Sequence, residues 1–196
     1  MLIPFLTGGF LLHRFTGDLR FFWFFSLLAT LAEITTQYLI AIGQTNLWVF
    51  NAFFALEYGI FIYLLSVWQE QRSRQLYRLS IPVVLAVYGA TFLLMEDYGT
   101  FNVPGKFIIT ILLLAAVLHS LSQLLSAGDS ILHRNYKFWI LFGMLIYFGA
   151  TVFVFLAGQM YVAGVIPESI WIIHNISNIL ANTFYGVGFL WAAKAA

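Results

Sequence analysis

The chain reads as an all-α integral membrane protein, and three observations predict that class. Of its 196 residues, 62% are hydrophobic and only 9% are charged, where a soluble domain carries roughly a quarter charged residues. Mean hydropathy is +0.91. The apolar residues also fall into six long runs, each able to supply the roughly 20 residues that a spanning helix needs. Too few polar side chains are present to cover a water-facing exterior, so lipid is the expected solvent for most of the surface.

The runs lie near 20–42, 47–68, 78–95, 106–126, 137–158 and 169–192. A seventh segment, residues 1–12, is apolar but short for an unassisted span. With it the sequence predicts seven helices in a single transmembrane domain over residues 1–196. Residues 1–12 lack the basic stretch that opens a signal peptide, so they are expected to belong to the fold. Pro4 is expected to bend this segment. Pro104 and Pro167 precede spans, and Pro82 is expected in the first turns of its own, where a missing N–H does little harm.

Charge sets the expected orientation. Arg14 and Arg20 precede the first full span, and Arg72, Arg74 and Arg78 are expected to fill the loop between the second and third. Arg134 and Lys137 lie between the fourth and fifth, and Lys194 follows the last. The alternate loops carry Lys106 together with Glu96, Asp97 and Glu168. By the positive-inside rule the basic loops and the C-terminus are cytoplasmic, in a multi-pass protein of the cell membrane. The N-terminus is outside if residues 1–12 cross, which is the preferred reading.

Several function classes drop out. Net charge is +1 and no basic stripe tracks phosphates, so nucleic acid is not an expected partner. The chain has no cysteine, which removes disulfides, thiol nucleophiles and thiolate metal sites. No Gly-rich phosphate loop, GxSxG elbow or HExxH helix is present, and no cofactor is implied. Lys106, Lys137 and Lys194 all fall at predicted span ends, so no retinal Schiff base is expected.

All six tryptophans lie near span ends, as an interfacial aromatic belt requires. Their spacing adds a pattern. Trp48 to Trp68 and Trp171 to Trp191 have the same separation, and Trp23 and Trp139 open the preceding spans. Those spans end in Gly43-Gln44 and Gly158-Gln159, and Asn51 and His174 each follow a tryptophan by three residues. A parallel repeat of three helices, a linker helix and three helices accounts for this, as in several transporter folds. In layout the chain resembles the small sugar transporters of the SWEET type, but it lacks their Pro-Gln motif, and their substrate is not carried over. The segments NLWVFNAFFALEY (Asn46–Tyr58), FWILFGMLIYFGA (Phe138–Ala150) and WIIHNISNILANTFYGVGF (Trp171–Phe189) are similar to a group of small uncharacterised bacterial multi-span proteins. That similarity covers most of the chain and implies a heptahelical fold without an established activity.

The candidate functional residues are the polar groups inside the spans, where ionisable side chains are expensive and therefore point to function. At about 1.5 Å per residue, Glu33 lies about 15 Å and Gln37 about 9 Å below Gly43, and Glu57 about 16 Å and Asn51 about 8 Å below Asn46. His174, Asn178 and Asn182 lie about 8, 13 and 20 Å below Ser169 on the same rise. Asn175, Asn178, Asn182 and Tyr185 follow one helical stripe, and Glu33 and Gln37 share a face. Glu33, Gln37, Asn51, Glu57, His174, Asn175, Asn178 and Asn182 are therefore the expected ligand- or proton-binding set. Any one amide can equally serve as interhelical glue worth about 1 kcal/mol or less. His119, near Ser120, Ser122 and Gln123, marks a second, inner polar group.

The expected function is binding or transport of a small solute or proton through an outward-facing polar cavity. The implied partners are the bilayer, a small polar or cationic solute, and a membrane partner or second copy. A membrane-embedded sensor and an intramembrane metal-dependent hydrolase built on His174, Glu33 and Glu57 are the alternatives. The binding reading predicts that Glu57→Gln and Asn178→Leu abolish binding or uptake while leaving the fold intact.

Overall fold

A computed structural model describes residues 1–94, 102–127, 132–162 and 170–195, with the side chains of 157–162, 170, 171 and 195 left out. Glu96, Asp97, Pro167 and Glu168, and the side chains of Gln159 and Trp171, lie outside the described residues. The protein is an all-α membrane protein of seven helices: α1 (Leu2–Leu11), α2 (Gly17–Ala41), α3 (Leu47–Val67), α4 (Gln71–Leu93), α5 (Val103–Ser126), α6 (Tyr136–Val162) and α7 (Ile170–Ala195). Five of them, α2 to α6, are long and apolar enough to cross a membrane. Helix α7 has the length but is not among those five; His174, Asn175, Asn178 and Asn182 dilute its apolar character.

Three local expectations need correction. Helix α4 starts at Gln71, so Arg72, Arg74 and Arg78 ride on its first turns instead of filling a loop. A loop of a few residues suffices because Trp68 already caps α3. Pro82 consequently falls well inside α4 and not in its first turns. Pro4 sits in the first turn of α1, where its missing N–H breaks no bond within the helix.

Consecutive helices pack in a closed circuit. Helix α1 contacts α2 and α7, α2 contacts α3, α3 contacts α4 and α5, α4 contacts α5, α5 contacts α6, and α6 contacts α7. Helix α3 is the most enclosed. Its Phe61 meets Phe25 of α2 and, edge-on, Phe148 of α6, with ring centroids 4.4 and 5.4 Å apart.

Lipid tails are as apolar as leucine, so helix association in a bilayer rests on close packing and interhelical hydrogen bonds. Close packing is plainest between α6 and α7. A Cβ at Gly143 would stand 2.7 Å from the Tyr185 ring and 2.9 Å from the Ala181 carbonyl oxygen. Polar bonding is plainest at the basic end of the bundle. The Asp18 carboxylate accepts from the Trp68 indole at 2.8 Å and the Tyr136 hydroxyl at 2.7 Å. One carboxylate thus ties the start of α2, the end of α3 and the start of α6.

The repeat predicts equal partners for α1 and α5, but these helices have 10 and 24 residues. Residues 1–12 form a half-length helix, about 15 Å at the helical rise.

Candidate functional site

The site begins with a join at the end of the bundle opposite Asp18. Asn102 caps α5, its side chain accepting from the Gly105 N–H at 3.1 Å, and Pro104 occupies the first turn where no N–H is needed. The Asn102 N–H in turn donates to the Asn51 side chain at 3.1 Å, and its amide donates to the Thr91 hydroxyl at 3.0 Å. The Tyr88 hydroxyl donates to the Asn51 carbonyl at 2.9 Å. Helices α3, α4 and α5 are locked together here. Gly105 is required at this join, because a Cβ would lie 2.5 Å from the Asn102 amide and 2.7 Å from the Thr91 hydroxyl.

The consequence is one turn further on. The Lys106 side chain points into the bundle, and its Nζ donates to a Glu57 carboxylate oxygen at 2.6 Å. Both side chains are almost wholly enclosed, at 2% and 1% exposure. The ammonium also sits 3.6 Å from the centroid of the Phe54 ring, a cation–π arrangement. Tyr147 of α6 presents its hydroxyl to Glu57. Lys106 lies in the first turn of α5, at a span end as expected, but its side chain is the partner of Glu57, one of the candidate residues.

Beside this pair lies a cavity of about 530 Å³. Its walls are largely aromatic and aliphatic, from Phe50, Phe53, Phe54, Val154 and Phe155. Its polar groups come from Glu57, Lys106, Glu33, Tyr147, Thr151, His174 and Asn178. The expected cavity is polar; this one is apolar with a polar floor. Met1 lines it too, its amino group 3.0 and 3.1 Å from the two oxygens of Glu33, which is half-exposed.

Of the eight expected residues, Glu33, Glu57, His174 and Asn178 line this cavity, and Gln37, Asn51, Asn175 and Asn182 do not. Gln37 and Asn175 are exposed on their helices. Asn51 is spent on the join to Asn102. Asn182 is buried and donates to the Asn178 side chain at 2.8 Å, which holds that amide in place. Asn51 and His174 are therefore not matched halves of one rim. The hydroxyls of Thr110 and Thr151 donate to carbonyls one turn back in their own helices. Lys106, Tyr147 and Phe54 were missed, since a lysine near a predicted span end and aromatics in an apolar run carry no distinguishing local signal.

Several polar atoms here lack a partner. The buried Nδ1 of His174, Oδ1 of Asn182 and hydroxyl of Tyr185 make no hydrogen bond. The His174 ring lies against Tyr147, with centroids 6.0 Å apart. Unsatisfied groups in a buried setting cost about 1–3 kcal/mol each, and native proteins keep few of them. The metal alternative loses its ligand set: among the described residues no three His, Asp or Glu side chains come together as a metal cage, and Glu57 is held by Lys106. His119 is bonded to the Tyr77 hydroxyl at 2.8 Å, toward the basic end.

No protein-family model matches this chain, and neither does any curated protein or solved structure.

Proposed function

We propose that the chain binds a small solute in the Glu57–Lys106 cavity and carries it across the membrane. The observation that carries this reading is the enclosed ion pair on the floor of a cavity of about 530 Å³. A buried ion pair is a poor way to stabilise a fold, because apolar residues of similar volume usually serve as well or better. A pair bordering a cavity, beside an imidazole nitrogen with no partner, has the makings of a binding site instead. The apolar walls favour a solute with a compact polar group and an apolar remainder.

On the positive-inside rule the basic end is cytoplasmic, and the cavity then belongs to the outward half of the bundle. The test is uptake by the purified protein in vesicles from an equimolar mixture of amino acids, sugars, polyamines and carboxylic acids, read by mass spectrometry. Saturable uptake of at least one species, abolished when Thr151→Trp fills the cavity, is the expected result. A species retained by the protein yet not accumulated in the vesicles would favour the sensor reading. Uptake untouched by Thr151→Trp would remove the cavity from the account.

A further inference from the structure

A second cavity, of about 460 Å³, lies at the basic end. It is lined by Gln69 and Glu70 after α3, Ser120 and Gln123 of α5, and Lys137 of α6. Gln69 is 4% exposed; its Nε2 donates to the Ser120 hydroxyl at 2.8 Å, and its Oε1 has no partner. Glu70 and Lys137 are in no ion pair among the described residues. The Lys137 ammonium stands 5.7 Å from the centroid of the Trp68 ring.

The two cavities share a chemical plan. Each presents a glutamate and a lysine, an aromatic ring near the ammonium (Phe54 or Trp68), and a buried polar atom without a partner (His174 Nδ1 or Gln69 Oε1); the first cavity adds Glu33, which is paired with the Met1 amino group. Helices α5 and α6 line both; α3 lines the first, and the residues that follow its end line the second. Glu57 and Gln69 are about 18 Å apart along α3 at the helical rise. Between them lies a barrier of Phe61, Leu65, Leu113, Val117, Met144 and Phe148, none more than 1% exposed.

Electrostatics narrows the solute. Glu57 with Lys106 and Glu33 with the Met1 amino group sum to zero in the first cavity, and Glu70 with Lys137 in the second; a solute with net charge would leave that charge uncompensated, most expensively at low dielectric beside the enclosed Glu57–Lys106 pair. An uncharged solute offers nothing to compete with a 2.6 Å ion pair. A zwitterion offers a carboxylate to the lysine and an ammonium to the glutamate, and keeps the total at zero.

We propose that the basic-end cavity is a second binding site, and that both cavities take the same class of solute, a zwitterion with one ammonium and one carboxylate. The solute class rests on the carrier reading above; the second site rests on its own geometry.

The experiment is equilibrium dialysis of the full chain in nanodiscs with glycine, leucine and phenylalanine, each compared with its cationic amide and its anionic N-acetyl form. Saturable binding of at least one amino acid at two sites per chain is expected, at least tenfold tighter than either derivative. Lys137→Gln, and separately Gln123→Trp, should each remove one site and leave the other; Thr151→Trp should do the converse. One site per chain, unaffected by Lys137→Gln and Gln123→Trp, would overturn the second site and leave the outer cavity standing. Equal or tighter binding of an amide or N-acetyl form would overturn the zwitterion, as would absence of amino-acid binding alongside Thr151-sensitive uptake of another solute. Loss of all saturable uptake and binding would overturn the carrier reading itself.

Discussion

Glu57 and Lys106 stand 49 positions apart, yet a carboxylate oxygen and the ammonium nitrogen meet at 2.6 Å with both side chains shut away from the exterior. Removing one member leaves the other charged and alone, which destabilises by about 3–5 kcal/mol. Glu57→Gln and Lys106→Met should each lower stability by that order in denaturant titrations in detergent. The double variant should recover most of the loss. Glu57→Gln on its own is therefore no clean test of binding, contrary to the expectation from sequence, and Asn178→Leu shares the fault because it deprives the Asn182 amide of its acceptor.

Asn102 controls where Lys106 points, through its cap on Gly105 and its bonds to Asn51 and Thr91. Replacing a capping asparagine by alanine costs about 0.5–2 kcal/mol. Asn102→Ala should reach the upper part of that range in the same titration, because the bond to Thr91 is lost with the cap. Solute uptake should fall as well, since α5 would no longer hold the Lys106 ammonium against Glu57.

Gly143 and Gly149 both lie on α6, but only the first faces a neighbour at close range. A Cβ at Gly143 meets the Tyr185 ring and the Ala181 carbonyl oxygen, and one at Gly149 meets nothing within 4 Å. Gly143→Ala should destabilise by about 1–3 kcal/mol, the usual cost of overpacking. Gly149→Ala should be neutral or slightly stabilising, because alanine is the better helix former. Thermal melts of the two variants side by side give the comparison.

Asp18 accepts from Trp68 and Tyr136 at once. Hydrogen bonds to charged groups contribute about 1.5–3 kcal/mol each. Trp68→Phe and Tyr136→Phe should each destabilise by about that much, and the pair should be non-additive because they share one acceptor. A double-mutant cycle measures the coupling.

The helices were legible because their signal is local. Runs of apolar residues and alternating basic ends are properties of neighbouring residues, and the helix boundaries of α2, α3, α5 and α6 lie within a few residues of the expected ones. The start of α4 was not legible, since Arg72, Arg74 and Arg78 are as compatible with a first helical turn as with a loop. The cavity was half legible. Polar residues at depth stand out in an apolar run, which marked Glu33, Glu57, His174 and Asn178. What separated them from Asn51 and Asn182 was packing: Asn51 faces the α5 cap, and Asn182 is turned to its own helix neighbour. Lys106 illustrates the limit. Its place near a span end concealed that the bonds of Asn102 turn it inward, and no single-sequence pattern encodes that turn.

The central claim is that the solute meets the Glu57–Lys106 pair. It is tested most directly with the Glu57→Gln/Lys106→Met double variant, which removes both charges without stranding either. The measurement is its affinity for the solute that the wild-type vesicles accumulate, by equilibrium dialysis on protein shown to be folded. Loss of charge-assisted hydrogen bonds predicts binding weaker by at least about tenfold. Wild-type affinity in the folded double variant would contradict the account.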